Sequence, residues 1–259
     1  MISQLDHPIT FLFTTLILFV IITGRYFIVA GIFYVTFYIW QPQKWKEKKI
    51  NKTAYKKDQF RKEITWSIIT GFIFSISAAI SILAWQKGYM QVYIPIHKYP
   101  IWWLPLSFFI LLFLHETYYY WIHRWMHIPS IFRIVHKAHH ESRIASPWTA
   151  FAFHPLEGIL QAIFLPLVLL FLPINIYLLL LLLIIMSLSS VINHLDIEIY
   201  PEGFEHKFPW KWIIGATHHA QHHKQYRYNF GLYFTFWDKW RATEYSPKRI
   251  TVKQSNSDL

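Results

Sequence analysis

Fifteen histidines in a chain of 259 residues are the side chains best placed to do chemistry, and most of them fall in the second half. They come in three blocks. HETYYYWIHRWMH carries His115, His123 and His127; HKAHH carries His136, His139 and His140; HHAQHH carries His218, His219, His222 and His223. His154 in AFHPLE and His194 in INHLDIE stand alone where apolar runs end. His123 and His127 are spaced i, i+4 and project from one side of a helix. His136, His139 and His140 repeat that spacing with an i+3 member, as do His219, His222 and His223, so each set is expected on one helix face. Imidazoles at these offsets are near neighbours, and two or three of them can share a metal ion. One zinc ion takes about three or four protein ligands. Eight clustered imidazoles plus His194 exceed that need, and two adjacent ions are the simplest accounting. Neutral imidazole suits iron, zinc, copper and nickel. His115 precedes His123 by two turns and sits about 80° off its face on an ideal helix. His218 points away from His219. Both read as orienting or structural residues, and His7, His97 and His206 as interfacial ones.

Composition removes other chemistries. The chain has no cysteine, which excludes thiolate zinc sites, Cys-ligated iron–sulfur clusters and a disulfide scaffold. His115–Glu116 opens like a zinc-protease motif, but Tyr119 stands where its second histidine belongs. No G-x-S-x-G, P-loop or G-x-G-x-x-G is present, so no nucleotide or flavin site is encoded and reducing equivalents need a separate donor. Only 15% of residues are charged and 20% are aromatic. So apolar a chain does not stay disordered.

The elements that must hold these histidines are membrane helices. Residues 64–85 run 22 positions without a charge, enough to cross a bilayer. Residues 101–120 form a second candidate. Runs 159–172 and 174–192, separated by Pro173 and Asn175, read as a helical hairpin. The run 9–40 is long for one span and short for two. A signal peptide fits poorly, since no basic stretch precedes the run. Loop 42–63 holds nine Lys and Arg against two in 86–100, so it is expected on the cytoplasmic side. Counting spans from there puts 121–155 and 195–259, and every histidine block, on that same side. The net charge of +11 flanks the spans and suits anionic lipid headgroups better than nucleic acid. The expected fold is all-α: a polytopic membrane helical bundle of about four to six spans, including the hairpin, with a cytoplasmic His-rich helical cap, in a single domain over 1–259. A soluble all-α protein with buried helices is the competing reading.

The ordered set H-x3-H, H-x2-H-H, H-x2-H-H, with FHP and NH between boxes and NFGLYFTFWDKW after them, resembles the fatty acid hydroxylase / sterol desaturase superfamily. The resemblance runs from about Thr65 to Tyr245. It implies an integral-membrane, non-haem di-iron oxygenase. The implied ligands are His123, His127, His136, His139, His140, His194, His219, His222 and His223, with His115, His154 or His218 as additional or supporting residues. Several members carry a further histidine four residues before the isolated one; here it is Ser190. The Gly-Thr common after the W-D pair is Ala242–Thr243, and Tyr200–Trp212 reads as an insertion lying on the membrane surface.

The resemblance further implies two iron ions, O2 as co-substrate, an external electron donor of cytochrome b5 or ferredoxin type, and hydroxylation or desaturation of an unactivated C–H bond. The substrate is expected to be a lipid drawn from the bilayer. Zinc is expected to replace iron in purified protein. Carboxylates available to orient imidazoles are Glu116, Glu157, Asp196, Glu198 and Asp238. Trp121, Trp125, Trp148, Phe151 and Phe153 read as a belt at the lipid–water interface. No fused cytochrome b5 domain or retention tail is read in a chain ending SNSDL, so a bacterial inner membrane and an ER membrane are both open. Two rivals stand beside this reading: a membrane zinc hydrolase acting on a lipid, and a non-enzymatic metal-binding membrane protein.

Overall fold

A computed structural model describes residues 5–245. Lys248, Arg249, Lys253 and the SNSDL end lie outside the described residues.

Ten α-helices carry the described chain, with almost no sheet. Helix α1 (Pro8–Tyr34) continues without a break through a π-helical stretch, Val35–Trp40, so the long first run is one helix rather than two. A short helix α2 (Pro42–Trp45) opens the basic loop. Helix α3 covers Gln59–Gln86 and α4 covers Trp103–Met126. Two short helices follow, α5 (Pro129–Val135) and α6 (Lys137–His140). Helices α7 (Pro155–Leu169) and α8 (Ile176–Asn193) form the hairpin. Helices α9 (Ala216–Gln225) and α10 (Phe236–Trp240) complete the set.

Local sequence explains the boundaries. Pro8 and Pro155 each sit in a first helical turn, where a missing N–H costs nothing. Asn175 caps α8 by accepting from the Tyr177 amide at 3.0 Å, which sharpens the hairpin turn. Three helices are long and apolar enough to cross a membrane: Pro8–Trp40, Gln59–Gln86 and Ile176–Asn193. On α1, Phe13 and Val20 are 61% and 68% exposed, a surface suited to lipid rather than water. Helix α4 is equally long but carries His115, Glu116, His123 and Arg124, and α7 is shorter. Helices α1 and α3 pack closely at Gly71, where a Cβ would meet Thr23 Oγ1 at 2.7 Å.

The two ends of the bundle are built differently. At one end, β1 (Val92–Tyr93) pairs in parallel with β2 (Ile174–Asn175), and the Trp103 indole donates to the Pro173 carbonyl at 2.9 Å. At the other end the basic loop folds onto the histidine-bearing segments. The Ile50 amide donates to the Asp196 carbonyl at 2.9 Å and the Glu198 amide to the Lys48 carbonyl at 3.0 Å. Loop 42–63 and the chain after His194 therefore share one end of the bundle.

Glu63, at the entry of α3, ties this end together. Its buried carboxylate accepts from Gln59 Nε2 (2.7 Å), Ser142 Oγ (2.7 Å), Ser146 Oγ (2.6 Å) and Thr149 Oγ1 (2.8 Å). Four donors from two distant stretches converge on one group, so the loop after the second histidine block is pinned to α3. Glu63→Ala orphans the three hydroxyls, while Gln59 Nε2 keeps the Ile144 carbonyl, and is expected to cost about 3 kcal/mol or more, at ~1–3 kcal/mol for each buried donor left unpaired. A lowered thermal midpoint in detergent checks this; an unchanged midpoint shows that the loop is held by other contacts.

Candidate metal centre

Each histidine block is placed by a helix end. His123 lies in the last turn of α4 and His127 is its C-cap residue. His136 sits at the break between α5 and α6, with His139 and His140 in α6. His194 caps α8, and α9 carries the third block.

The nine histidines form two groups, in each of which the ring nitrogens lie within 4.8 Å of one another: His123, His127, His136, His140 and His222 in one, and His139, His194, His219 and His223 in the other. Each H-x-x-H-H set, expected on one helix face, is divided between the two groups. The i, i+4 pairs His136/His140 and His219/His223 stay together, while the i+3 members His139 and His222 cross to the opposite group. The reason is rotational. Positions i+3 and i+4 differ by about 100° around a helix. With two sites side by side, each direction meets a different one, and each box straddles both.

The hydrogen-bond pattern tests whether these rings fit a metal. His139 Nδ1 faces the Ala152 carbonyl (3.3 Å) and His194 Nδ1 faces the Ser190 carbonyl (2.7 Å). His123 Nδ1 faces the Phe230 carbonyl (2.8 Å) and His222 Nδ1 the Tyr228 carbonyl (2.7 Å). A carbonyl has no proton to give, so in each case Nδ1–H donates and a neutral ring presents Nε2 as a lone pair. Yet Nε2 of His139 and Nε2 of His194 lie 3.2 Å apart, and Nε2 of His194 and His219 lie 3.0 Å apart. His140 and His222 repeat this at 3.2 Å. For His139 and His194 both tautomers are set by carbonyls, so two lone pairs face each other and repel unless a cation lies between them. Two nitrogens bound to one metal at ~2.1 Å and a right angle are about 3.0 Å apart. The donor sets therefore fit a metal ion in each group. Burial keeps the rings neutral, as ligation requires: the imidazoles of His136, His139, His140, His219, His222 and His223 are held well below their usual 6.5, and His194 is pushed down to about 4.

Carboxylates support this arrangement unequally. Glu157, in the first turn of α7, lies 2.8 Å from His136 Nδ1, both groups being buried. Of the five carboxylates singled out in the sequence, it alone touches a ring of either group. Glu116 instead accepts the amides of Leu232 (3.1 Å) and Tyr233 (2.8 Å). Asp238 accepts those of Phe230 (2.9 Å) and Gly231 (3.0 Å), and burial raises its carboxyl to about 6. Together they brace the segment whose Phe230 carbonyl fixes His123. Glu198 accepts the Thr217 amide at the start of α9 (3.0 Å), and Asp196 is bound by the Asn51 side-chain amide. Sequence reading missed Glu63; its place beside a lysine-rich loop made it look solvated.

The supporting histidines all lie outside both groups. His115 Nδ1 is 2.8 Å from the Tyr233 hydroxyl and its ring packs on Phe164. His154 caps α7 by accepting from the Leu156 amide. The His218 carbonyl accepts from Asn229 Nδ2 at 2.8 Å. Ser190, in place of a further histidine, donates to the Ala150 carbonyl and supplies the acceptor for His194. Ala242 holds φ at +54°, the region glycine favours, while Thr243 Oγ1 donates to Asp238 at 2.7 Å.

An apolar cavity of about 290 Å3 abuts the centre. Its wall includes Phe153, whose ring lies 5.3 Å from that of His139, and Tyr119, 5.2 Å from that of His123. Phe151 and Phe153 are buried and line this cavity, which corrects their reading as part of an interfacial belt; Trp121 and Trp125 are 40% and 42% exposed.

Comparison with known proteins places the chain. Residues 108–243 match the fatty acid hydroxylase family, more than half of the chain. Lathosterol oxidase of Rattus norvegicus is 30% identical over 221 residues, covering 78% of this chain and 71% of the relative. The Homo sapiens lathosterol oxidase is 31% identical over 191 residues, covering 71% and 61%. A Delta(7)-sterol 5(6)-desaturase of Gibberella zeae is 28% identical over 193 residues, covering 74% and 58%. No solved structure matches. The chain belongs to the fatty acid hydroxylase family, within the fatty acid hydroxylase / sterol desaturase superfamily, and is an oxidoreductase.

The division into two groups gives a metal-counting experiment. His139→Ala and His222→Ala each remove a ligand from a different group, and each variant is expected to bind about one metal equivalent fewer than the parent, measured by elemental analysis. Full metal content in both rejects the grouping. A second experiment concerns pH. Where the folded imidazole values lie below 6.5, the unfolded chain holds more protons than the folded one as pH falls. Stability of the metal-free protein present above pH 6.5 is therefore lost on acidification, with His194 contributing down to about 4. Thermal scans from pH 7 to 5 should show a falling midpoint; a flat profile contradicts burial of neutral rings.

Proposed function

We propose that the chain is an integral-membrane di-iron enzyme that hydroxylates or desaturates an unactivated C–H position of a lipid, using O2 and an external electron donor. The observation that carries this reading is the pair of all-histidine groups, their lone pairs turned inward, beside a cavity lined by apolar side chains. Relatives named as sterol oxidases and desaturases support a lipid substrate.

His123, His127, His136, His140 and His222 would hold one ion, and His139, His194, His219 and His223 the other. Iron bound there supplies the oxidising power, drawn from O2 and donor electrons, that no side chain can supply against an alkane C–H bond. The chain's own residues do the rest. Backbone carbonyls of Ala152, Ser190, Tyr228 and Phe230 set the tautomer of the facing rings. Glu157 orients His136. Tyr119 and Phe153 keep bulk water from the rings while leaving apolar surface for a lipid chain. An all-imidazole shell is neutral, so the nine rings would leave the charge of any bound ions uncompensated.

The topology fits the reading. With loop 42–63 on the cytoplasmic side, the histidine end of the bundle faces the donor, and α4 and the α7–α8 hairpin complete the membrane bundle of a single domain. A donor of cytochrome b5 or ferredoxin type would approach there. A zinc hydrolase needs a free carboxylate base beside the metal; Glu116 is engaged by two backbone amides, and Glu157 meets His136 at Nδ1 rather than at the Nε2 that faces His123.

The test is turnover of membrane lipids by iron-loaded protein with a reducing system, followed by lipid mass spectrometry with and without O2. A product altered by one oxygen or two hydrogens that disappears under anoxia is expected. Turnover that persists without O2 overturns the oxygenase reading.

A further inference from the structure

The cavity beside the centre has one feature that oxidation of a hydrocarbon does not require. Arg25 lies well inside the first candidate span, and its side chain lines the cavity. Its Nε is buried without a hydrogen-bond partner. Gln161, from α7, lines the same cavity, and its Nε2 is likewise buried and unpartnered. The serine and histidine side chains on the wall behave differently. Ser77 donates to the Ala162 carbonyl (3.0 Å), Ser81 to the Ser77 carbonyl (2.8 Å) and Ser190 to the Ala150 carbonyl (2.7 Å). His115 is engaged by the Tyr233 hydroxyl. Among the described residues no carboxylate lines the cavity. A guanidinium at membrane depth without an acidic partner is costly, and such residues mark ligand sites.

We infer that Arg25 and Gln161 form the seat for an anionic oxygen group, a carboxylate, at the polar end of the lipid. Three observations converge. Arg25 brings a permanent positive charge that nothing in the cavity neutralises, and attraction between opposite charges grows as water is excluded. A guanidinium fork matches a carboxylate, and the Gln161 amide adds a neutral donor to the same oxygens. Neither α1 nor α7 contributes a ring to the two histidine groups, whereas Tyr119 and Phe153, on the same cavity wall, pack against ring members of each. The head of the lipid is then gripped by elements separate from the metals, and its apolar body extends along the wall toward them. Distance from the seat, rather than recognition at the reacting carbon, sets which position is attacked. This deepens the proposed function by naming the substrate class as a lipid acid.

Binding tests the seat without turnover. Purified protein in zwitterionic nanodiscs is titrated with radiolabelled oleate, and oleyl alcohol and cholesterol are used as competitors. Oleate is expected to bind at least tenfold more tightly than oleyl alcohol. Arg25→Gln should erase that preference while leaving oleyl alcohol affinity within twofold, and Gln161→Leu should reduce it. Bound metal per chain is measured on every variant and should match the parent, which separates loss of the seat from loss of the fold. Equal affinity for oleate and oleyl alcohol, or a preference unchanged in Arg25→Gln, overturns the inference. So does tighter binding of cholesterol than of oleate. None of these outcomes touches O2-dependent turnover, so the seat can fail while the oxygenase reading stands, and the reverse.

Discussion

Everything at the histidine end of this protein depends on keeping nine imidazoles neutral and turned toward one another. The Nε2 lone pairs of His139 and His194, 3.2 Å apart, repel as they stand. A cation reverses the sign of that contact. The rest of the cap makes the arrangement persist: helix ends bring the rings in from distant stretches, and backbone carbonyls hold the Nδ1 protons of His123, His139, His194 and His222 on the outer side. Burial adds its own constraint, because a protonated ring in this interior would be desolvated beside eight others.

That constraint explains where the buried acids sit. Glu63, Glu116 and Asp238 are buried, and none of them touches a ligand ring; each gathers donors from a loop that follows a ligand or supports one through its backbone. Glu63 fixes the stretch 142–149, while Glu116 and Asp238 fix 230–233. Loops at the edge of a membrane have few apolar contacts to order them, and a carboxylate accepting several short hydrogen bonds is a strong substitute. Only Glu157 reaches a ring directly, and it does so from a helix that also lines the cavity through Gln161.

The sequence made the ligand types and the membrane character legible because both rest on short-range pattern. A 22-residue uncharged run and an i, i+4 pair are visible without knowledge of the fold. What it hid were relations between segments. The crossing of His139 and His222 between groups depends on two sites lying side by side, which no single helix reveals. The same is true of Phe151 and Phe153: an aromatic near a boundary looks interfacial until the neighbouring helices close over it. Glu63 was invisible for a related reason, since its partners Ser142, Ser146 and Thr149 lie some eighty positions away. The run 9–40 was ambiguous by length alone, and the structure carries it as one helix through a π-helical stretch.

The contrast between the two polar systems of the bundle bears on how such a protein could discriminate among lipids. At the histidine end the Nδ1 atoms of His123, His139, His194 and His222 are answered by backbone carbonyls, and the inward lone pairs suit a metal. In the cavity wall the buried side-chain nitrogens Arg25 Nε and Gln161 Nε2 have no partner. A metal centre strong enough to attack an alkane has little selectivity of its own, because neighbouring methylenes differ hardly at all in chemistry. Selectivity must then come from geometry fixed elsewhere, and a polar anchor held by different helices from the metals is the simplest device that sets a distance. An apolar cavity alone would let a chain slide by one carbon at almost no cost, whereas one charged contact in a medium of low dielectric makes a single register preferred.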